Sequence, residues 1–261
     1  MSDSCLCGII LSVVCCLSAC HNDTAGFKIE DRIPHDEYAF TQGLLFHEGY
    51  LYESTGLYGH SSLRRLDPKT GEVLQQVNLP STYFAEGLTL FRNQLIQLTW
   101  REGTAFVYHS KTFEPIKRFY YRMEGWGLTH NGDFLIMSNG SATLYFRDPQ
   151  TFEIVKTVKV RERDKPLSHL NELEFIRGEI WANVYPTEDI VRIDPQSGQV
   201  KERMHFAGLV SEDERNNREN VLNGIAYNDE LQRVYITGKR YSYIYRMTEK
   251  YSLWSDLNRQ R

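Results

Sequence analysis

The sequence predicts an all-β protein folded as a five-bladed β-propeller, with about four antiparallel strands in each blade. The first observation is a short pattern, in which a glycine is set among apolar residues, that recurs five times along the chain. Successive glycine positions are 44, 40, 45 and 52 residues apart, and they are occupied by Gly43, Gly87, Gly127, Glu172 and Gly224. Repeats of about 40 to 50 residues that each hold about four strands are typical of propellers.

A second marker stays in phase with the first. Turns of the type Asp-Pro-x-Thr-Gly occur at 67–71, 148–152 and 194–198, and a weaker copy lies at 109–113. The aspartate caps such a turn, the proline fixes φ and the glycine accepts a positive φ. In chain order these turns follow the preceding glycine position by 24, 22, 21 and 22 residues, so each repeat is expected to form one blade.

The segments between the two markers read as strands. Hairpin turns are predicted at 92–93, 131–133 and 177–178, and no segment sustains the 3.6-residue apolar period of a helix. A further strand at 27–33 precedes the first repeat, and we expect it to supply the outer strand of the last blade and so close the ring. The predicted propeller covers residues 27–247 and is followed by a polar C-terminal tail at 248–261.

The N-terminal segment predicts export. Residues 6–19 form an uncharged apolar run that is short for a transmembrane helix and has the length of a signal-peptide core. The run ends in LSAC at 17–20, which resembles a bacterial lipobox with Cys20 as the lipidated residue. We therefore expect a signal at 1–19, a tether at 20–26, and an exported protein, periplasmic or at the cell surface, anchored through Cys20. Because Asp3 replaces the usual positive start, an ordinary secretory signal or a misassigned start codon remain alternatives.

Composition excludes several classes of function. The net charge is −4 without a long basic run, so nucleic acid is not an expected partner. All five cysteines lie in the first 20 residues, which leaves the body without a disulfide or a cysteine metal site. The histidines form no HxH or HExxH motif, so the sequence predicts neither a metal nor another cofactor.

Equivalent residues of a propeller lie at equal heights around its axis, so the residue before each glycine position should face the mouth of the central channel. These five residues differ in chemistry: Gln42, Glu86, Trp126, Asn171 and Asn223. The ends of the second strands should add another ring, flanked by Phe40 and Phe84 and formed by Trp100, Asn139, Tyr185 and Lys239. The predicted site is an aromatic box for a small polar ligand.

Each of these residues also has a purely structural interpretation. Trp100 and Trp126 could be core residues, and Lys239 could be a solvated lysine at a strand end. Glu86 is harder to explain structurally, because a carboxylate beside Phe84 and an apolar strand is costly to bury unless it is paired or functional.

Seven segments, in order between residues 27 and 247, resemble the glutamine cyclotransferases, the glutaminyl cyclases of the plant and bacterial type. These are FTQGL at 40–44, EGLT at 86–89, EGWGLT at 124–129, LNELE at 170–174, WANV at 181–184, LNGIA at 222–226 and TGK at 237–239. The resemblance implies a five-bladed propeller, a catalytic glutamate at Glu86 and no essential zinc. It also implies roles for Gln42, Trp126, Asn171 and Lys239, and for the aromatic residues Phe40, Phe84 and Trp100.

The activity implied by the resemblance is a glutaminyl-peptide cyclotransferase, an acyltransferase that closes N-terminal glutamine of peptides or proteins into pyroglutamate and releases ammonia. Glu86 would act as the general acid and base, and Lys239 or the amides of Asn171 and Gln42 would stabilise the oxyanion. Tyr185 stands where the family usually has a tryptophan, and we expect this to change affinity rather than abolish activity.

Two other functions remain open from the residues alone. The same mouth could belong to a non-catalytic propeller that binds peptides or cell-wall fragments. It could also belong to a hydrolase such as a lactonase, which would need a calcium-binding set of carboxylates at the axis, where Glu172 is a possible second carboxylate. The polar segment at 211–220 is interpreted as a solvated loop or as a lid over the mouth.

Overall fold

The described part of the chain, in this computed structural model, comprises residues 23–210 and 218–250, and it consists of strands and connecting turns without a helix. The predicted signal at 1–19, the lipidation site Cys20, most of the 211–220 segment and most of the C-terminal tail lie outside these residues. Because the described residues contain no helix, none of them belongs to a helix that is long and apolar enough to cross a membrane.

Five antiparallel sheets form the blades, and each blade runs from an inner to an outer strand. Blade one contains β3 (Thr41–His47), β4 (Tyr50–Thr55), β5 (Ser62–Leu66) and β6 (Val73–Asn78). Blade two contains β7 (Ala85–Phe91), β8 (Gln94–Thr99), β9 (Thr104–His109) and β10 (Pro115–Tyr120). Blade three contains β11 (Leu128–His130), β12 (Leu135–Met137), β13 (Thr143–Arg147) and β14 (Ile154–Lys159).

Two short strands, β15 (Arg161–Glu162) and β16 (Lys165–Pro166), connect blades three and four. Blade four contains β17 (Leu170–Ile176), β18 (Glu179–Val184), β19 (Asp189–Ile193) and β20 (Val200–His205). Blade five contains β21 (Leu222–Asn228), β22 (Arg233–Gly238) and β23 (Tyr243–Glu249), followed outward by β2 (Phe27–Pro34) and β1 (Asp23–Thr24). The predicted five-bladed propeller is confirmed.

The ring is closed by the pairing that the sequence predicts. β2 lies antiparallel to β23, with Ile33 opposite Ile244 and Phe27 opposite Glu249. The first strands of the described chain therefore complete the last blade. Two strands from opposite ends of the described chain, β2 and β23, are thus paired in one sheet.

The repeated glycines are explained by close approach of neighbouring inner strands. A Cβ atom on Gly43 would lie 2.6 Å from the backbone nitrogen of Leu88 in the next blade. A Cβ atom on Gly127 would collide with the backbone oxygen of Asn171. Since real Cβ atoms do not approach that closely, only glycine lets the inner strands pack against one another at the axis.

Glu172 occupies the fourth glycine position and acts as a buried acceptor. One carboxylate oxygen accepts the backbone N–H of Leu44 in blade one at 3.3 Å, and the other accepts that of Ile225 in blade five at 2.9 Å. Its side chain therefore ties blade four to two other blades. Burial raises the pKa of Glu172 well above its usual value, and the two backbone donors oppose that rise.

The predicted turns follow from local side-chain chemistry. Asp67 Oδ1 accepts the backbone N–H groups of Lys69 and Thr70 at 2.8 and 2.9 Å. Asp148 and Asp194 repeat this arrangement in their own turns. In the weaker copy, His109 Nδ1 accepts the N–H of Lys111 at 3.3 Å, so an imidazole takes the place of the carboxylate.

Candidate active site

An irregularity in the inner strands turns the residue before each glycine position toward the mouth of the channel. In four blades the inner strand has a register shift at that residue, between Thr41 and Gly43, Ala85 and Leu88, Leu170 and Leu173, and Leu222 and Ile225. Such bulges turn a side chain away from the regular alternation of a strand. In blade three, Trp126 lies just before β11, and its carbonyl accepts the N–H of Gly87 at 2.7 Å.

A cavity of about 330 Å³ lies at this mouth. All nine catalytic and substrate-binding residues named from the sequence line it, namely Phe40, Gln42, Phe84, Glu86, Trp100, Trp126, Asn171, Tyr185 and Lys239. The structure thus brings residues from all five blades to one site, although it does not by itself assign their roles.

Two residues of the predicted rings do not line the cavity. Asn223 is buried beneath it, where its Nδ2 atom donates to Gln42 Oε1 at 3.1 Å and to the carbonyl of Thr41 at 3.0 Å. Asn139 instead orders its own loop, because its Oδ1 accepts the hydroxyl of Ser141 at 2.6 Å. Asn223 therefore supports a cavity residue, and Asn139 supports the turn after β12.

Leu57 and Glu219 also line the cavity and were missed from the sequence. Leu57 follows Gly56, whose N–H donates to the carbonyl of Phe40 just as the N–H of Trp100 donates to that of Phe84. Gly56 thus takes in blade one the position that Trp100 has in blade two, and this equivalence was the available signal for its neighbour Leu57. A Cβ atom on Gly56 would collide with the ring of Phe84. Glu219 belongs to the polar 211–220 segment, whose interpretation as a lid would have placed it near the mouth.

Glu86 is the buried carboxyl group of the cavity and is only 5% exposed, whereas the side chain of Glu219 is 62% exposed. Its Oε1 atom accepts a hydrogen bond from Gln42 Nε2 at 3.1 Å, and Gln42 is itself held by Asn223. Burial raises the pKa of Glu86 well above the ordinary glutamate value. The charge of Lys239 opposes this rise, while the charges of Glu124 and Glu102 add to it.

Lys239 is the basic group of the cavity. Its Nζ atom lies 4.8 Å from the ring centre of Phe40 and 5.0 Å from that of Tyr185, a distance at which an ammonium is attracted to an aromatic face. Burial lowers the pKa of Lys239, and Glu86 and Glu219 act in the opposite direction. The ring of Tyr185 thus faces the ammonium of Lys239, and the ring of a tryptophan, the usual residue at this position, could do the same.

Two indoles are fixed by a single carboxylate that sequence reasoning did not single out. Glu124 Oε2 accepts the Nε1–H groups of both Trp100, at 2.9 Å, and Trp126, at 3.1 Å. Arg101 donates to the other oxygen at 3.0 Å and lies 3.7 Å from the centre of the Trp100 ring. Burial alone would raise the pKa of Glu124, but these hydrogen bonds outweigh that effect and lower the pKa, so the group stays ionised.

The aromatic walls meet edge to face. The rings of Phe84 and Trp100 have centroids 5.6 Å apart, and those of Trp126 and Tyr185 are 5.9 Å apart, both in T-shaped geometry. Such pairs favour a defined orientation. Asn171 also lines the cavity, and its Oδ1 atom is buried with no hydrogen-bond partner among residues 23–210 and 218–250.

No group of three or more histidine, cysteine, aspartate or glutamate side chains within the described ranges is placed to hold a metal ion. The prediction of metal-independent chemistry therefore stays a prediction.

Comparison with known proteins agrees with this geometry. The sequence model of the glutamine cyclotransferase family matches residues 8–248. A glutaminyl-peptide cyclotransferase of Arabidopsis thaliana is 41% identical over 229 residues, which are 85% of this chain and 71% of the relative. The crystal structure of Myxococcus xanthus glutaminyl cyclase superposes with a TM-score of 0.78 at 35% identity, over 85% of this chain and 95% of that one.

A more distant likeness concerns the fold alone. The β-propeller domain of Cps50 (Swd1) from Myceliophteria thermophila matches with a TM-score of 0.53 at 10% identity, over 85% of this chain and 99% of that domain. Together with the family match over residues 8–248 and the 41% identity to the plant enzyme, the cavity leads to one conclusion: the chain belongs to the glutamine cyclotransferase family.

Proposed function

We propose that this protein is a glutaminyl-peptide cyclotransferase, which converts the N-terminal glutamine of peptides or proteins into pyroglutamate and releases ammonia. The observation that carries the proposal is Glu86, a buried carboxyl group with a raised pKa in an aromatic cavity, in a chain that belongs to the glutamine cyclotransferases. The reaction is formally an acyl transfer from the side-chain nitrogen to the α-nitrogen of one residue.

The cavity suits the bent form of a glutamine residue. The reacting amine and carboxamide belong to one side chain and its own backbone, so the site must fold the residue back on itself. The indoles of Trp100 and Trp126, fixed through Glu124, supply rigid walls for this conformer. Holding reacting atoms in place contributes through proximity rather than through new chemistry.

Glu86 would carry the proton. The neutral α-amine attacks the side-chain carboxamide carbon, a C–N bond forms, and the amine passes one proton to the ionised Glu86 carboxylate. The protonated Glu86 then delivers that proton to the carboxamide nitrogen, whose bond to carbon breaks as ammonia leaves. A general acid and base is most effective when its pKa lies near the working pH, and the raised pKa of Glu86 moves it in that direction.

The oxygen of the tetrahedral intermediate needs donors. Lys239 offers an ammonium beside Tyr185, and the side-chain amides of Asn171 and Gln42 line the same cavity. Donors that are fixed before the reaction stabilise the developing charge without reorganising. No step of this scheme calls on a metal ion or another cofactor.

We further propose that the protein acts outside the cytoplasm. The support is the apolar run at 6–19 and the lipobox-like LSAC at 17–20, which together predict a signal peptide and a lipid anchor on Cys20. The anchor would be the protein's link to the membrane, and peptides with N-terminal glutamine would be its substrates.

The proposal is tested by measuring ammonia release and pyroglutamate formation from a Gln-Ala peptide, with Asn-Ala as the control substrate. We expect turnover of the glutamine peptide by the wild type, and we expect it to persist after treatment with a metal chelator. Binding of the peptide without ammonia release would instead identify a peptide-binding propeller. Activity lost on chelation and restored by zinc would contradict the metal-independent mechanism.

A further inference from the structure

A second cavity adjoins the candidate active site. It has a volume of about 360 Å³ and shares Leu57 with the first cavity. Phe40 lies where the two cavities meet, since Lys239 on the active-site side is 4.8 Å from its ring centre and Arg240, which lines the second cavity, is 5.3 Å from it. The two cavities are therefore neighbours at Leu57 and Phe40.

The lining of the second cavity is rich in hydrogen-bond donors and contains no carboxylate. Two guanidinium groups, Arg64 and Arg240, face it, together with His60 and the amides of Gln76 and Asn78. Guanidinium groups present planar sets of N–H donors that match a carboxylate. The cavity is thus suited to an acidic ligand group.

Existing ion pairs leave part of this donor set available. Arg64 uses its Nε atom to donate to Ser62 at 3.0 Å and its Nη1 atom to donate to Asp36 at 2.8 Å. Its Nη1 atom also lies 3.8 Å from Glu53, and its Nη2 atom has no hydrogen-bond partner in the part of the chain that the structure describes. Arg240 has a looser pair, with Nη1 3.6 Å from a carboxylate oxygen of Glu219.

We propose that the second cavity is a subsite for the peptide segment that follows the reacting glutamine, and that it selects a carboxylate there. This inference rests on the proposed function, because the glutamine must occupy the first cavity. An extended peptide advances about 3.3–3.6 Å per residue, so the residues that directly follow the glutamine are the ones we expect in the adjoining cavity. The carboxylate is supplied by an aspartate or glutamate side chain, or by the free C-terminus of a dipeptide or tripeptide.

The test compares kcat/KM for a set of peptides. Gln-Glu-Ala-amide and Gln-Ala-Glu-amide carry a side-chain carboxylate, and their neutral counterparts carry glutamine at the same positions. Gln-Ala with a free C-terminus is compared with Gln-Ala-amide, which separates the two sources of the carboxylate. We expect the acidic member to be favoured in at least one pair by about two- to fivefold, the range of a partly exposed ion pair. The difference should lie in KM, because the contact is remote from the reacting atoms.

Substitutions of the two arginines test whether the second cavity causes this preference. Arg240→Gln, and Arg64→Gln in a second variant, should reduce the ratio between acidic and neutral peptides toward one. Arg246→Gln is the matched control: its side chain is 29% exposed, against 28% for Arg240, and it also pairs loosely with carboxylates, at 3.5 and 3.8 Å, but on the outer strands of blade five. The control should keep the preference, and thermal melting checks that each variant is folded.

A binding measurement separates this inference from the proposed function. Glu86→Gln should bind the peptides without turning them over, and tryptophan fluorescence of the cavity indoles reports binding. Tighter binding of the acidic peptides that is lost on adding Arg240→Gln would support the subsite even if no peptide were cyclised. Equal binding and equal kcat/KM for acidic and neutral peptides would overturn it, as would a preference that survives both arginine substitutions.

Discussion

Glu86 and Lys239 are both buried, and burial pushes each toward its neutral form. It raises the pKa of the acid and lowers that of the base, while the charge of each favours the ionised form of the other. The pair is therefore poised so that a small change at either residue alters the protonation of its neighbour. The direction of the pKa changes predicted below for variants of these residues follows from this coupling.

The first prediction concerns Glu86→Gln. The amide keeps the shape and the hydrogen-bonding capacity of the side chain but cannot carry a proton. General acid–base catalysis is worth about 10²–10⁴-fold, so kcat for a glutamine peptide should fall by about that factor while KM changes little. Lys239→Ala should cost less, because Asn171 and Gln42 remain to hold the oxyanion.

The control for this experiment is Glu102→Gln, because this carboxylate is not among the residues that line the cavity. It accepts the hydroxyl of Tyr58 at 2.8 Å and the backbone N–H of Phe84 at 3.3 Å. Its kcat should stay close to that of the wild type. If Glu86→Gln retained near wild-type turnover in a folded propeller, another group would have to carry the proton.

The second prediction concerns the acid limb of the pH–rate profile. The carboxylate form of Glu86 accepts the proton, so kcat/KM should fall as the pH drops through its raised pKa, above the usual glutamate range. Lys239→Ala removes the charge that holds this pKa down, so the limb should move to higher pH. Glu102→Gln removes a charge that raises the same pKa, so the limb should move to lower pH. Shifts in the opposite directions would show that Glu86 does not set this limb.

At the scale of the strand, the glycine positions link packing to the site. The inner strands approach so closely at Gly127 that any side chain there would displace Asn171 of the next blade, and Trp126 immediately precedes Gly127 in sequence. A change in this packing therefore reaches two cavity residues.

The third prediction is that Gly127→Ala lowers both stability and activity. Overpacking typically costs about 1–3 kcal/mol, and the displaced Asn171 and Trp126 should reduce kcat/KM as well. Gly132→Ala is the control, because a Cβ atom there meets nothing within 4 Å and only its positive φ, 94°, opposes the substitution. Urea unfolding and peptide kinetics on both variants provide the measurement. If Gly132→Ala lost as much activity as Gly127→Ala, the contact between inner strands would not be the cause of the loss.

At the scale of the whole molecule, a buried ion pair holds the seam of the ring. His35, just after β2, donates through Nε2 to a carboxylate oxygen of Glu53 in blade one at 2.8 Å and through Nδ1 to the carbonyl of Tyr241 in blade five at 2.7 Å. Burial opposes protonation of His35, but Glu53 overcomes it and the pKa of His35 is raised. Burial likewise opposes ionisation of Glu53, but His35 and Arg64 overcome it and its pKa is lowered.

The fourth prediction follows from these directions. The raised pKa of His35 stabilises the fold below about pH 6.5, and that stabilisation is lost as the pH rises through its folded value. The lowered pKa of Glu53 stabilises the fold above about pH 4.5, and that contribution is lost as the pH falls through its folded value. His35→Gln should therefore lower the free energy of unfolding most between about pH 4.5 and 6.5, and the difference from the wild type should narrow toward pH 8. Urea unfolding at several pH values checks this. A difference that grows with pH would contradict it.

The fifth prediction concerns cellular location. If Cys20 carries a lipid, the full-length protein should be found in the membrane fraction, and Cys20→Ala should release it or leave it unprocessed. The matched control is Cys16→Ala, which changes a cysteine inside the apolar run without touching the predicted lipidated residue. A wild-type protein that is wholly soluble and still carries residues 1–19 would contradict the lipoprotein proposal.

The blade number was predictable because its causes are local in sequence. Capping by Asp67, Asp148 and Asp194 fixes tight turns within a few residues, and glycine recurs where inner strands must touch. These signals repeat with the blade, so counting them counts blades. The nine cavity residues could be named for the same reason, since equivalent strand positions face the same end of the channel.

What the sequence alone determined, then, is the propeller, its closure by β2 and the residues that gather at its mouth. The tertiary structure decided which neighbours serve them: Glu124 fixes two indoles, Asn223 holds Gln42, and Asn139 turns away into its own loop. It also showed that Glu172 is a buried acceptor for backbone amides of two other blades. These outcomes depend on distances between groups that are up to 181 residues apart in sequence, or on the exact course of a turn, and a periodic pattern carries neither.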